Sequence, residues 1–227
     1  MKKTLSISIG AAVAIALFGA SAPARAFSFG TDGISFNSDT EVKFSFGSSN
    51  GAFQSTLKIF EVLTDGSLAA AENGVVFEET QASDNGAQNG FEATLGNAVT
   101  QVNDTFTFLA GKVYTLGLAS TYNGNNQGIA YSTTSLNTYG QRAAFGTTGG
   151  TEAQAFDASS YQSADPFSGP VAIAFEDIKW AGADGDFNDV TVSAAAVPEP
   201  LTMGGLALGA AGLAAARRSR KRRTSES

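Results

Sequence analysis

The strongest constraint on the fold is a period of two. In Glu41-Val42-Lys43-Phe44-Ser45-Phe46 polar and apolar residues alternate. Successive side chains of an extended strand point to opposite faces, so Val42, Phe44 and Phe46 share one face. The same alternation runs through Thr56 to Ile59, Thr105 to Phe108, Lys112 to Leu116, Val171 to Phe175 and Val190 to Val192. Turn-forming pairs separate these stretches: Asn50-Gly51, Asp65-Gly66, Asn73-Gly74, Asn89-Gly90, Ala110-Gly111 and Asn123-Gly124. Their glycines and asparagines tolerate the positive φ that tight turns demand. Short strands at this spacing predict an all-β fold, an antiparallel β-sandwich of jelly-roll-like form. One short helix is expected around Ser67 to Glu72, from its alanines alone. The Gly/Ser/Thr/Asn-rich stretches Asn123 to Gly128 and Gly146 to Gly150 are expected as long surface loops joining sheets. Phe-Ser-Phe-Gly stands at both 27–30 and 44–47, which strand composition explains without an internal repeat.

What is missing narrows the chemistry. Of 227 residues none is cysteine or histidine. Disulfides and thiol chemistry are excluded, and so are Ser-His-Asp and Cys-His arrangements. Any bound metal must sit among oxygen ligands, which selects calcium or magnesium. Between residues 27 and 196 five basic residues (Lys43, Lys58, Lys112, Arg142, Lys179) stand against nineteen acidic ones from Asp32 to Asp189, so this segment carries 5 − 19 = −14. Such a surface repels nucleic acid and anionic lipid and attracts cations; solubility is the other use of the same charge.

Both ends read as processing segments. Residues 1–26 have the form of a secretory signal peptide: Lys2-Lys3, an apolar run from Leu5 to Phe18, and the small-x-small site Ala24-Arg25-Ala26. Sec-type export machinery and signal peptidase are the expected partners, with cleavage before Phe27 and a β domain over 27–196. At the other end, Val197-Pro198-Glu199-Pro200 holds the chain extended and cannot continue a ladder. Leu201 to Ala216 follows as an uncharged segment rich in Leu, Ala and Gly. As a helix it would be about 24 Å long, short of a typical hydrocarbon core. The basic cluster Arg217, Arg218, Arg220, Lys221, Arg222 and Arg223 would stay cytoplasmic and leave the acidic body outside. This order of Pro-Glu-Pro, short apolar segment and Arg-rich terminus over 197–227 resembles the PEP-CTERM sorting signal of bacterial exported proteins. The resemblance implies an exosortase-type transpeptidase acting near Pro198, Glu199 and Pro200, which would be substrate positions. It also implies a protein held briefly in the inner membrane by a short C-terminal transmembrane helix, then placed at the cell surface or released.

The most informative stretch of the body is Val171 to Val192. A strand leads into Glu176-Asp177, Trp180, and Asp184-Gly185-Asp186-Phe187-Asn188-Asp189-Val190. Asp184, Asp186 and Asn188 alternate around a glycine, a spacing that lets a tight loop turn successive oxygens toward one hard cation. Glu176, Asp177 or Asp189 can complete the shell, making calcium the candidate ligand. An EF-hand is excluded, because Asp189 stands where its glycine is required and Ala195 where its last glutamate is required. The competing reading is that these Asp and Asn side chains cap a turn by bonding local N–H groups, with Phe187 and Val190 in the core. Phe175-Glu176-Asp177 followed by Gly185-Asp186-Phe187-Asn188-Asp189-Val190 also resembles the C-terminal signature of domain of unknown function 4114, whose members are exported and β-rich. Where that signature commonly carries a basic residue between Gly and Asp, this chain joins Gly185 directly to Asp186 and sets Asp184 before them. That adds an oxygen ligand.

These features point to a non-catalytic exported protein of the cell surface or an extracellular, biofilm-type matrix, with exopolysaccharide as a candidate partner. The alternative is a carbohydrate-binding module using aromatic platforms, for which Trp180, Tyr122, Tyr131, Tyr139 and Tyr161 are the candidates. A glycosidase pair of Glu176 with Asp177 or Asp186 is disfavoured; Glu176 and Asp177 in particular, adjacent on a strand, face opposite ways.

Overall fold

A computed structural model describes residues 26–50, 53–80, 92–93, 99–150 and 156–198. The expected signal segment up to residue 25, the apolar segment 201–216, Glu199, Pro200 and the basic cluster 217–223 lie outside these residues. Among the described residues there are twelve strands and two short 3₁₀ turns, and no helix is long and apolar enough to cross a membrane. In chain order the strands are β1 (Phe27–Gly30), β2 (Gly33–Phe36), β3 (Thr40–Asn50), β4 (Gln54–Val62), β5 (Leu68–Glu78) and β6 (Glu92–Ala93). They continue as β7 (Asn103–Phe108), β8 (Val113–Tyr122), β9 (Asn125–Tyr131), β10 (Ala143–Phe145), β11 (Val171–Phe175) and β12 (Val190–Ala196).

All pairings are antiparallel and form two sheets. One runs β1-β2-β8-β4-β5, with β9 also on β8; the other runs β10-β11-β12-β3-β6, with β7 also on β3. The all-β antiparallel sandwich expected from the alternation is therefore present. In β3, Val42, Phe44 and Phe46 are buried while Glu41, Lys43 and Gly47 are exposed. Leu57 and Ile59 of β4, Leu116 and Leu118 of β8, Ile173 and Phe175 of β11, and Val192 of β12 join them in one core. Aromatic contacts stitch the sheets together: Phe29 meets Phe145 edge-on at 5.5 Å and Phe46 meets Phe77 at 5.8 Å. Such pairs add directional preference to the area they bury.

Four local expectations are corrected. Ser67 to Glu72 forms no helix; Leu68 onward is strand β5, whose Ala69 and Ala70 pair with Glu61 and Phe60 of β4. Alanine's helical preference is weaker than a full set of ladder bonds on a neighbouring strand. Asn73-Gly74 is no turn. It is a bulge inside β5, with Asn73 at φ 54 and a register shift opposite Lys58 to Phe60. A Cβ on Gly74 would lie 2.9 Å from the Ile59 carbonyl oxygen, so the close strand approach requires glycine. Asn123 to Gly128 is not a long loop between sheets: Asn123-Gly124 alone makes a tight turn (φ 49 and 75), and Asn125 already belongs to β9, paired with Tyr122 in the same sheet. Two successive positive φ values give the turn whose twist matches a hairpin. Likewise Gly146 to Gly150 leaves β10 and returns toward β11 within one sheet, packed against the acidic loop described next.

Candidate metal centre

Strands β11 and β12 are neighbours in register, Phe175 opposite Val190, so the segment 176–189 is the connection between them and returns to its starting point. Two positive φ values shape its return, Gly185 at 81° and Phe187 at 58°. A phenylalanine in the left-handed region is strained, and its surroundings hold it there. Its ring is buried with Ala144 and Ala174 and lies 5.5 Å from Phe156, while its N–H donates to Glu176 Oε1 at 2.7 Å. From the other side the backbone of Gly149 presses on the loop, so close that a Cβ there would be 2.2 Å from the Phe187 carbonyl oxygen. Gly150 N–H donates to the Asp186 carbonyl at 2.6 Å. Asn50, at the end of β3, donates its N–H to the Asp189 carbonyl at 2.7 Å and its amide to the Asn188 carbonyl at 2.9 Å.

This framework brings Glu176, Asp184 and Asp186 together: each offers a carboxylate oxygen within 4.8 Å of the other two. Glu176 is 0% exposed and Asp186 is buried, whereas Asp184 is open to solvent. Glu176 Oε2 is buried without a hydrogen-bond partner. Burial, opposed by the Phe187 N–H and reinforced by the charges of Asp184 and Asp186, pushes the Glu176 carboxyl up to about 7. The guanidinium of Arg142 favours the ionised form, yet it directs Nη1 to the Gln141 carbonyl and Nη2 to the Trp180 carbonyl, both at 3.0 Å. Three carboxylates with oxygens within 4.8 Å of one another, one of the three carrying an unpartnered oxygen, suit a calcium-class ion with further positions open on the exposed Asp184 side.

The other predicted residues fall elsewhere. Asn188 braces the site: its amide nitrogen donates to Asp186 Oδ2 at 2.5 Å, and its N–H donates to Asp186 Oδ1 at 3.2 Å. Asp186 thus also makes the turn-capping bond of the competing reading. Asp177 and Asp189 form a second acidic group. Asp189 Oδ2 accepts the Asp177 N–H at 2.9 Å. Burial first, then the neighbouring carboxylates, drive Asp177 well above the usual range. Burial, offset in part by the Asp177 N–H, lifts Asp189 to about 8. Glu79 shares this neighbourhood, because its charge is among those that raise Asp177. Sequence reading missed Glu79 and the buried Arg142. A signal for Glu79 did exist: Phe77 and Glu79 have the same parity and both face inward, with Glu78 exposed between them.

Trp180 is 37% exposed on the same loop, with its ring beside Gly182. Of the tyrosine candidates, Tyr139 is exposed. Tyr122, Tyr131 and Tyr161 pack on Phe53, Phe60 and Phe156 respectively. Pro198 is exposed just past β12, where Val197 N–H donates to the Glu41 carbonyl at 2.8 Å. Compared with protein-family models, with curated proteins and with solved structures, the chain matches none.

Proposed function

We propose that this chain is a non-catalytic, exported protein of the cell surface or extracellular matrix, whose jelly-roll-like sandwich binds calcium at Glu176, Asp184 and Asp186. In this reading residues 1–26 are a cleaved signal peptide. Residues 197–227 are a sorting tail with a short membrane helix, processed by an exosortase-type enzyme. The observation that carries the calcium reading is the Glu176 carboxylate: fully buried, one oxygen unpartnered, and facing two more carboxylates. A buried charge without a partner costs several kcal/mol. A cation removes that cost and the mutual repulsion in one step. The strongly acidic body agrees, since it concentrates cations at its surface.

The test is thermal melting of the full chain in mild detergent, with calcium against chelator. Calcium raises the melting temperature, and Asp186→Ala reduces the gain. Absence of any calcium-dependent shift, or a gain indifferent to Asp186→Ala, sinks the assignment.

A further inference from the structure

We propose that Arg142 is the positioning residue of this cation site: it ties the stretch between Asp177 and Asp184 to the sheet, so that the Asp184 carboxylate stays beside Glu176 and Asp186. The proposal rests on the calcium reading above and deepens it.

Of the three carboxylates, Asp184 is the one the fold holds least. Glu176 directly follows β11, and its N–H donates to the Arg142 carbonyl at 3.1 Å. Asp186 is buried, its carbonyl accepts the Gly150 N–H, and its carboxylate is braced by Asn188. Asp184 is exposed and ends a stretch, 178–184, in which residues 179–182 are exposed in succession. Few buried contacts fix such a stretch, and it opens easily unless something else holds it. Among the described residues, the hydrogen bond that joins it to another element runs from Arg142 Nη2 to the Trp180 carbonyl, at 3.0 Å. The Lys179 stem adds a packing contact, crossing Gly128 of β9 so closely that a Cβ there would lie 2.3 Å from Lys179 Cδ.

Arg142 is placed to supply the tie. It stands just before β10 and is only 7% exposed. Its carbonyl holds one end of the loop at Glu176, and its guanidinium holds a point four residues further on. The side chain forms no ion pair; among the described residues the ion pair is Lys112 with Glu61. Nη1 and Nη2 both donate to carbonyls, and Nε is buried without a partner. Burying a guanidinium this way is costly, and charge balance alone would set it against a carboxylate. A planar fork that reaches two carbonyls at once fixes distance and direction, which a point charge does not.

Arg142 acts on calcium in two ways of opposite sign. Its charge is felt at Glu176 and repels a cation there. Its hydrogen bond keeps Asp184 in reach of the ion. Were charge the whole effect, removing the guanidinium would tighten calcium binding; positioning demands the reverse.

Trp180 is the chain's single tryptophan, so its emission reads this stretch alone. The experiment pairs equilibrium dialysis, with calcium as the only probe, and acrylamide quenching of Trp180, on the full chain in mild detergent at pH 8. Arg142→Met should bind calcium about tenfold more weakly than wild type, the scale of one lost hydrogen bond from a charged donor. In chelator its Trp180 should be quenched more strongly than in wild type. Arg142→Lys keeps the charge and loses the fork; it should move both readings the same way, and it serves if Arg142→Met does not fold. Calcium binding that is unchanged or tighter in the variants overturns the positioning role and leaves the cation site standing. Weaker binding with unchanged Trp180 quenching also overturns it, because the loss then takes another route. A wild type that binds no calcium overturns the site and the role of Arg142 together.

Discussion

Replacing Glu176 with glutamine separates a cation site from a simple buried turn, because the two effects have opposite signs. In chelator at pH 8 the folded wild type must ionise a carboxyl held near 7, against an ordinary 4.5. That gap of 2.5, at ~1.4 kcal/mol for each tenfold change, amounts to about 3 kcal/mol against the fold. Glutamine removes the cost. Its oxygen can still accept the Phe187 N–H, and its NH₂ replaces the unpartnered Oε2 with a donor facing Asp184 and Asp186. For a domain of this size, about 3 kcal/mol corresponds to roughly 6–12 °C in melting temperature. Calcium should raise the wild type by about 2.7 kcal/mol at a hundredfold excess over Kd, and this gain should shrink in Glu176→Gln. The assay is melting of both proteins at pH 8, each with chelator and with calcium. If Glu176→Gln melts below wild type in chelator, the desolvation reasoning is refuted; if its calcium gain is unchanged, Glu176 is not a ligand.

The same burial fixes a pH dependence. Glu176 and Asp189 have folded values raised to about 7 and about 8, so the folded state holds protons that the unfolded chain has released. Chelated protein should therefore be most stable near pH 4.5 and lose stability as pH rises toward 8, with calcium gains growing over that window; urea titrations that are flat or rise with pH would contradict this. Gly149→Ala and Gly66→Ala share a positive φ (85° and 82°), but only the first meets backbone, 2.2 Å from the Phe187 carbonyl oxygen. Gly66→Ala should cost about 1 kcal/mol. Gly149→Ala should cost on the order of 3 kcal/mol and also weaken calcium binding, since strain at the clash adds to the left-handed penalty. Equal losses in urea unfolding would show that the contact with the acidic loop carries no weight.

Much of the fold was legible because the relevant physics is local. Alternation placed Val42, Phe44 and Phe46 on a buried face, and a strand requires nothing beyond its own pleat to do that. Identical local chemistry had different outcomes at Asn73-Gly74 and Asn123-Gly124. Both tolerate positive φ, but one is a bulge and the other a turn. The register of β5 against β4, set over many residues, decides between them.

The candidate site divides along the same line. That Asp184, Asp186, Asn188 and Asp189 crowd one loop was evident from residue order, as was the nearness of Glu176. Residue order alone did not separate that crowd into a trio of neighbouring carboxylates, a brace in Asn188, and an Asp189 that accepts the Asp177 N–H. Glu79 lies about a hundred residues from Asp177, yet its charge is among those that raise the Asp177 carboxyl, because one follows a strand of the first sheet and the other a strand of the second. Local propensity acts over a few residues. Which carboxylates share a charge is settled by how the sheets face each other across the core.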